Sequence, residues 1–217
     1  MRVFVHGSGR TGRAAWPMLD ADSGTFLDID PLRPVEEQTA LFAEALSRTP
    51  DATVVAHSWG GTLVGIAMAH DVARPTALVL VEPAMFDLAR TNESVSHHID
   101  VMTDARTLAD AGDLRGFWNL VKPMMFGAQA TDDDWKEDEP HAARFAQLTL
   151  PWGFDLDEAL PGLPPTLVIT GAWWDGYEAI AQSLVGRGAQ HIQLQGAGHR
   201  PQDLPGFSRV LNDWKAR

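Results

Sequence analysis

Short apolar runs alternate with longer amphipathic stretches at both ends of the chain. The runs VFV (3–5), TFLDI (25–29), ATVVAH (52–57), TALVLVE (76–82), TLVIT (166–170) and HIQLQ (191–195) are bounded by Gly, Pro or Asp. Most are rich in β-branched residues, the pattern of strands buried on both faces. Helical spacing falls between them. Over 35–47, Leu41, Phe42, Ala45 and Leu46 share one face behind Pro34. Further helices are expected from Trp59 to about His70, over roughly Tyr177 to Val185, and from Leu204 to Trp214. This alternation predicts an α/β fold, a mostly parallel sheet of about six strands flanked by helices.

The alternation stops between Ala84 and Pro161, where the sequence is helical in flavour and carries no convincing strand. Residues 84–160 are therefore expected to form a helical cap inserted into a core made of 1–83 and 161–217. The densest apolar cluster in the insertion is Phe117, Trp118, Leu120, Val121, Met124, Met125 and Phe126.

Composition narrows the partners. A net charge of -12 over 217 residues disfavours nucleic acid and anionic membrane surfaces, which both call for a basic face. Part of that charge sits in TDDDWKEDEP (131–140), expected to be a solvated loop or helix face. Cysteine is absent, so thiolate chemistry, disulfides and Cys-based metal sites are excluded. No targeting segment precedes the first strand, and no apolar run approaches the roughly 20 residues of a membrane span. A cytoplasmic protein acting on a small molecule is expected.

The most specific stretch is VVAHSWGGTLVG (54–65). A β-branched run ends at Ala56, Ser58 follows, and a helix begins within two residues. A serine on so sharp a turn projects its Oγ at the carboxyl edge of the sheet. The turn demands small residues two positions either side, here Ala56 and Gly60. The helix N-terminus behind the serine offers N–H groups where negative charge would develop. The stretch resembles the nucleophile elbow of the α/β-hydrolase superfamily, with Ala56 in place of the first glycine of G-x-S-x-G.

That resemblance directs attention to two more positions. The family's order is Ser, then Asp or Glu, then His, with the histidine on the loop after the last strand. His199 in GAGHRPQD (196–203) stands there, alone among eight histidines in being so placed. Two residues compete for the acid. Asp175 in TLVITGAWWDGYE follows a strand and a glycine, the family's commoner site, but at four residues after the glycine instead of three. Glu82 ends the preceding strand, the family's alternative site. Asp175 is the preferred reading and Glu82 the alternative.

The opening segment MRVFVHGSGRTG admits three readings. Gly7, Gly9 and Gly12 match the dinucleotide turn G-x-G-x-x-G, with Asp28 or Asp30 to hold a ribose. Against it, Pro17 falls where the following helix should continue, at a cost of about 3 kcal/mol. The phosphate-loop reading fails because Arg13 and Ala14 stand where Lys and Ser or Thr are required. In the hydrolase reading the turn supports an oxyanion. The N–H groups of Ser8 and Trp59 are the donors, and Pro17 begins a short helix.

The resemblance thus implies a serine hydrolase cleaving an ester-type bond through an acyl-enzyme, whether carboxylic ester, thioester or lactone. Ser58 is the nucleophile and His199 the general base. No cofactor or metal is required. Trp118, Met125, Trp152 and Trp173 are candidates to line an apolar or aromatic pocket, as is Trp59. The alternatives are a carbon–carbon bond hydrolase of the same fold or a non-catalytic ligand-binding member. The Asp nucleophile of dehalogenases and epoxide hydrolases is excluded by serine at position 58.

Overall fold

A computed structural model describes residues 1–160 and 162–214. Pro161, expected to open the second core segment, lies outside the described residues. Six strands form one sheet: β1 (Arg2–Val5), β2 (Thr25–Phe26), β3 (Thr53–His57), β4 (Ala77–Val81), β5 (Thr166–Thr170) and β6 (Gln190–Gln193). Every pairing is parallel, in the order β2-β1-β3-β4-β5-β6. The chain leaves β1 toward one edge and returns on the other side at β3. The strand order therefore reverses between β1 and β3, and in such sheets ligands bind outside the carboxyl ends of the strands at that point.

The helices are α1 (Val35–Ser47), α2 (Trp59–Ala69), α3 (Glu93–Asp110), α4 (Leu114–Phe126), α5 (Trp135–Phe145), α6 (Leu156–Ala159), α7 (Asp175–Gly186) and α8 (Phe207–Asp213). Strands β3, β4 and β5 are buried almost throughout, as continuous apolar runs require. Phe4, Val55, Val79, Leu167, Trp16 and Phe207 meet in one core cluster.

Three local expectations are corrected. Strand β2 stops at Phe26, although Leu27 still donates to the Phe4 carbonyl, because this short edge strand has a partner on one side only. Pro17 does not begin a helix. A 3-10 turn spans Gly12–Ala15 and ends before it, since proline has no N–H to continue the turn. The helix expected over 204–214 begins only at Phe207, as α8, after Pro205, and a separate 3-10 turn at Pro201–Asp203 precedes it.

The chain forms two compact units, one of residues 1–89 with 150–217 and the other of residues 90–149. The second is narrower than the expected insertion of 84–160, so Phe86, Trp152 and α6 belong with the sheet. It consists of α3, α4 and α5. Asn92 and Asp113 cap the first two by accepting the N–H groups of Val95 (3.1 Å) and Gly116 (2.7 Å). Trp118 packs against Phe126 and Phe145 inside this unit, and Met125 of the same helix is exposed. Lys122 bonds Asp138 at 2.7 Å and lies 3.5 Å from Asp134, which ties part of the acidic run to α4. No helix among the described residues is long and apolar enough to cross a membrane.

Candidate active site

Strand register brings the chemistry to one edge. His57 of β3 pairs with Val81 of β4, so the residues that follow, Ser58 and Glu82, leave the sheet side by side. The ladder runs one step further, with Ser58 N–H on the Val81 carbonyl (3.0 Å) and Glu82 N–H on the Ile169 carbonyl (2.9 Å). Ser58 has φ 54° and ψ −123°, a backbone that L-residues rarely adopt. Such a residue stores about 1–3 kcal/mol, sustained only where the surroundings over-determine it.

The surroundings here are tight. A Cβ built on Gly60 would stand 2.6 Å from the carbonyl oxygens of both Val5 and His6, and neither main-chain atom can move out of the sheet. Gly60→Ala is therefore expected to destabilise the protein by about 3 kcal/mol, the upper range for overpacking, and to disturb the elbow. Chemical denaturation measures it. A midpoint within error of the wild type would show the turn to be slack.

His199 lies on the loop after β6, its side chain one-third exposed. Two buried residues hold it. His57, next to the serine, donates Nε2–H to the His199 carbonyl at 2.8 Å, since a carbonyl only accepts. Burial, then the neighbouring His199, pushes His57 well below the usual histidine range, so it stays neutral. On the other side Tyr177 of α7 stacks on the His199 ring, centroids 4.9 Å apart and planes at 25°. Its hydroxyl lies close to the Ser58 side chain. Burial, reinforced by nearby Glu82, pushes Tyr177 up and keeps it protonated. His57, next to the serine, thus bonds the histidine loop, and Tyr177 packs on the histidine ring.

Glu82 is wholly buried and is the carboxylate that stands beside this histidine. Its Oε2 is 3.4 Å from His199 Nδ1 and also accepts the Trp173 indole N–H at 2.9 Å. Its Oε1 accepts the Gly171 N–H at 2.5 Å. Asp175, the preferred acid of the sequence reading, is the first residue of α7.

The loop after β1 is pinned by His6. Its Nδ1–H donates to the Gly7 carbonyl (2.6 Å), and its Nε2 accepts the Ile29 N–H (3.1 Å). Burial lowers this imidazole from its ordinary value, which suits the neutral ring that both bonds require. In a trans peptide the C=O and N–H point opposite ways, so the Ser8 N–H is turned away from His6. Gly7 lies against Ser58, a Cβ built there falling 2.9 Å from the serine's own. Trp59 opens α2, where the first N–H has no acceptor within the helix. Its indole donates to Gln38 at 2.8 Å, and Phe154 packs beside it.

The remaining predicted lining residues divide between the units. Trp152 stacks on Phe86 (5.9 Å, 4°), which meets Trp174 and Tyr177, while Trp173 reaches Trp174, Tyr177 and His199. These rings form one connected wall leading to the histidine. Trp118 and Met125 belong to the other unit. Sequence reasoning missed His57 and Tyr177. Tyr177 carried one available signal, as the only tyrosine of the chain on the helix beside a candidate acid. Among the described residues no group of three or more His, Asp or Glu is disposed to hold a metal ion.

Known proteins were compared with this arrangement. The chain is similar in fold to a thermophilic esterase from Thermogutta terrifontis, with TM-score 0.56, 15% identity, and 99% of this chain and 89% of that one covered. The enol-lactonase from Burkholderia xenovorans LB400 matches with TM-score 0.54 and 16% identity over 98% of this chain and 89% of its own. A loop variant of the haloalkane dehalogenase from Bradyrhizobium elkanii gives TM-score 0.58 and 17% identity over 98% and 88%. No curated protein matches the sequence. The sequence model of one family matches residues 3–207, nearly the whole chain, and by that match the protein belongs to the alpha/beta hydrolase family.

Proposed function

We propose that the protein is a serine hydrolase that cleaves an ester-type bond of a small apolar or aromatic substrate through an acyl-enzyme on Ser58. The observation that carries this reading is the strained elbow at Ser58 with the His199–Glu82 pair beside it. His199 takes the Ser58 hydroxyl proton as Oγ attacks the carbonyl carbon, and the oxyanion rests on the N–H groups of Ser8 and Trp59. Collapse breaks the bond to the leaving group, which departs with the proton from His199. Water, deprotonated by His199, then attacks the acyl-enzyme and releases the acid and Ser58. Glu82, in place of Asp175, orients the imidazole and balances its positive charge.

The aromatic wall of Trp174, Tyr177, Phe86 and Trp152 favours a substrate with an apolar or planar acyl group. Esterase and lactonase neighbours are consistent with this reading, though likeness at such identity speaks for the fold alone. The haloalkane dehalogenase neighbour adds nothing for the reaction, because serine stands at the nucleophile position. Turnover on p-nitrophenyl esters of graded chain length, an acyl-thioester and a lactone tests the proposal. Hydrolysis of at least one, with apolar or aromatic acyl groups preferred, is expected. Binding of such molecules without turnover would replace the enzyme by a ligand-binding protein.

A further inference from the structure

The pair at the heart of this site is shared with a third group. Both His199 Nδ1 and the Trp173 indole N–H face one oxygen, Oε2 of Glu82, and the indole holds the shorter contact, 2.9 Å against 3.4 Å. A distance of 3.4 Å is at the weak end for an N–H···O bond, whereas 2.9 Å is ordinary. Trp173 as a residue is 51% exposed, so burial alone does not hold its indole on the carboxylate. What fixes it is the main chain. Gly171 donates to the other oxygen of Glu82, and Ala172 then takes φ 53°, the left-handed conformation that a side chain makes costly. Glu82 itself has φ 43°. A Cβ on Gly171 would fall 2.0 Å from the Gly198 carbonyl, so this loop lies directly on the loop that carries His199. Two strained residues and a close backbone contact therefore hold one indole N–H on the acid.

Resting on the hydrolase reading above, we propose that Trp173 is a positioning residue, whose indole N–H holds the Glu82 carboxylate and draws part of its charge away from His199. Its action runs through Glu82, and no contact with substrate is required. With the indole in place, Oε2 divides its negative charge between two donors. The carboxylate still orients the ring during attack, while part of its hydrogen-bonding capacity is held by the indole. The other groups around His199 are neutral His57, its ring centroid 4.8 Å away, the ring of protonated Tyr177 stacked on its face, and Arg200 next in sequence. The Arg200 guanidinium is engaged by Asp203 at 2.7 and 2.9 Å, and Asp203 is shared with Arg10. Glu82 is thus the anion through which Trp173 acts on the histidine.

The test is Trp173→Phe, which keeps an aromatic ring and removes the N–H, with a second variant carrying benzothienylalanine at 173, an isostere of tryptophan without the N–H. Two readouts are followed in the intact protein. In the NMR spectrum the His199 Nδ1 proton should move downfield in both variants, as its contact with Oε2 shortens. In kinetics on the best ester, kcat should fall about tenfold, the loss of one hydrogen bond to a charged group, with KM within about twofold. An unmoved proton resonance would overturn the proposal, as would a shift in the opposite direction. A rise in KM alone would make the ring a substrate wall instead. The NMR readout needs no turnover, so it decides the proposal even if every ester fails and the hydrolase reading with it.

Discussion

A fluorophosphonate is expected to label the protein once, at Ser58, and Ser58→Ala to abolish both the label and about 10⁴-fold or more of kcat. The size follows from what the residue does. Its Oγ forms the covalent bond to the acyl group, and alanine leaves only binding and the N–H donors of Ser8 and Trp59. The substitution should not disturb the fold. The Ser58 main chain keeps its bonds to Val81, Gly61 and Ala84. Intact-mass spectrometry and peptide mapping read the outcome. Label retained in Ser58→Ala would place the nucleophile elsewhere. A wild type that neither reacts with the probe nor turns over any ester would leave a hydrolase fold used for binding.

The second large effect is expected at the acid. Glu82→Gln should lower kcat by about 10³ to 10⁴-fold, while Asp175→Asn should cost less than about tenfold. A glutamine at 82 is nearly the same shape, but one terminus now donates where every neighbour is itself a donor. Gly171 N–H, the Trp173 indole and His199 Nδ1 all point at the present carboxylate. One of them must lose its acceptor inside a wholly buried site, and the tautomer that leaves His199 Nε2 free to act as base is no longer enforced. Asp175 sits in the first turn of α7, where a carboxylate also favours the helix N-terminus, so its loss is expected to be felt more in stability than in rate. Kinetics and thermal melts on the two variants decide between them. A reversed ranking would return the role to Asp175.

Much of this organisation was legible in the sequence because it is local. Continuous apolar runs of 53–57, 77–81 and 166–170 marked the buried strands, and the step from a β-branched run through Ser58 into Gly60 and Gly61 marked the elbow. The loss of alternation marked a helical stretch, since α3, α4 and α5 are three helices in succession. The histidine loop was placed by its position after the last strand. Where the chain misled, prolines were the reason. Pro17 follows a turn and begins no helix, and the last helix starts at Phe207, past Pro205, where apolar spacing had started it at Leu204.

The partners of those landmarks were decided only in three dimensions. Spacing from a glycine pointed to Asp175, yet the acid beside the histidine comes from the end of β4. The register of β4 against β3 and β5 brings it there, and no short-range pattern records that register. Glu82 meets Trp173 across 91 residues and His199 across 117. Tyr177 meets the histidine because one face of α7 turns toward it, and His57 reaches the same loop because β3 ends beneath it. Propensity and hydrophobic period act over one turn or one pleat. The sharing of a single carboxylate oxygen depends on ångström-scale placement of three loops, which only packing of the whole sheet supplies.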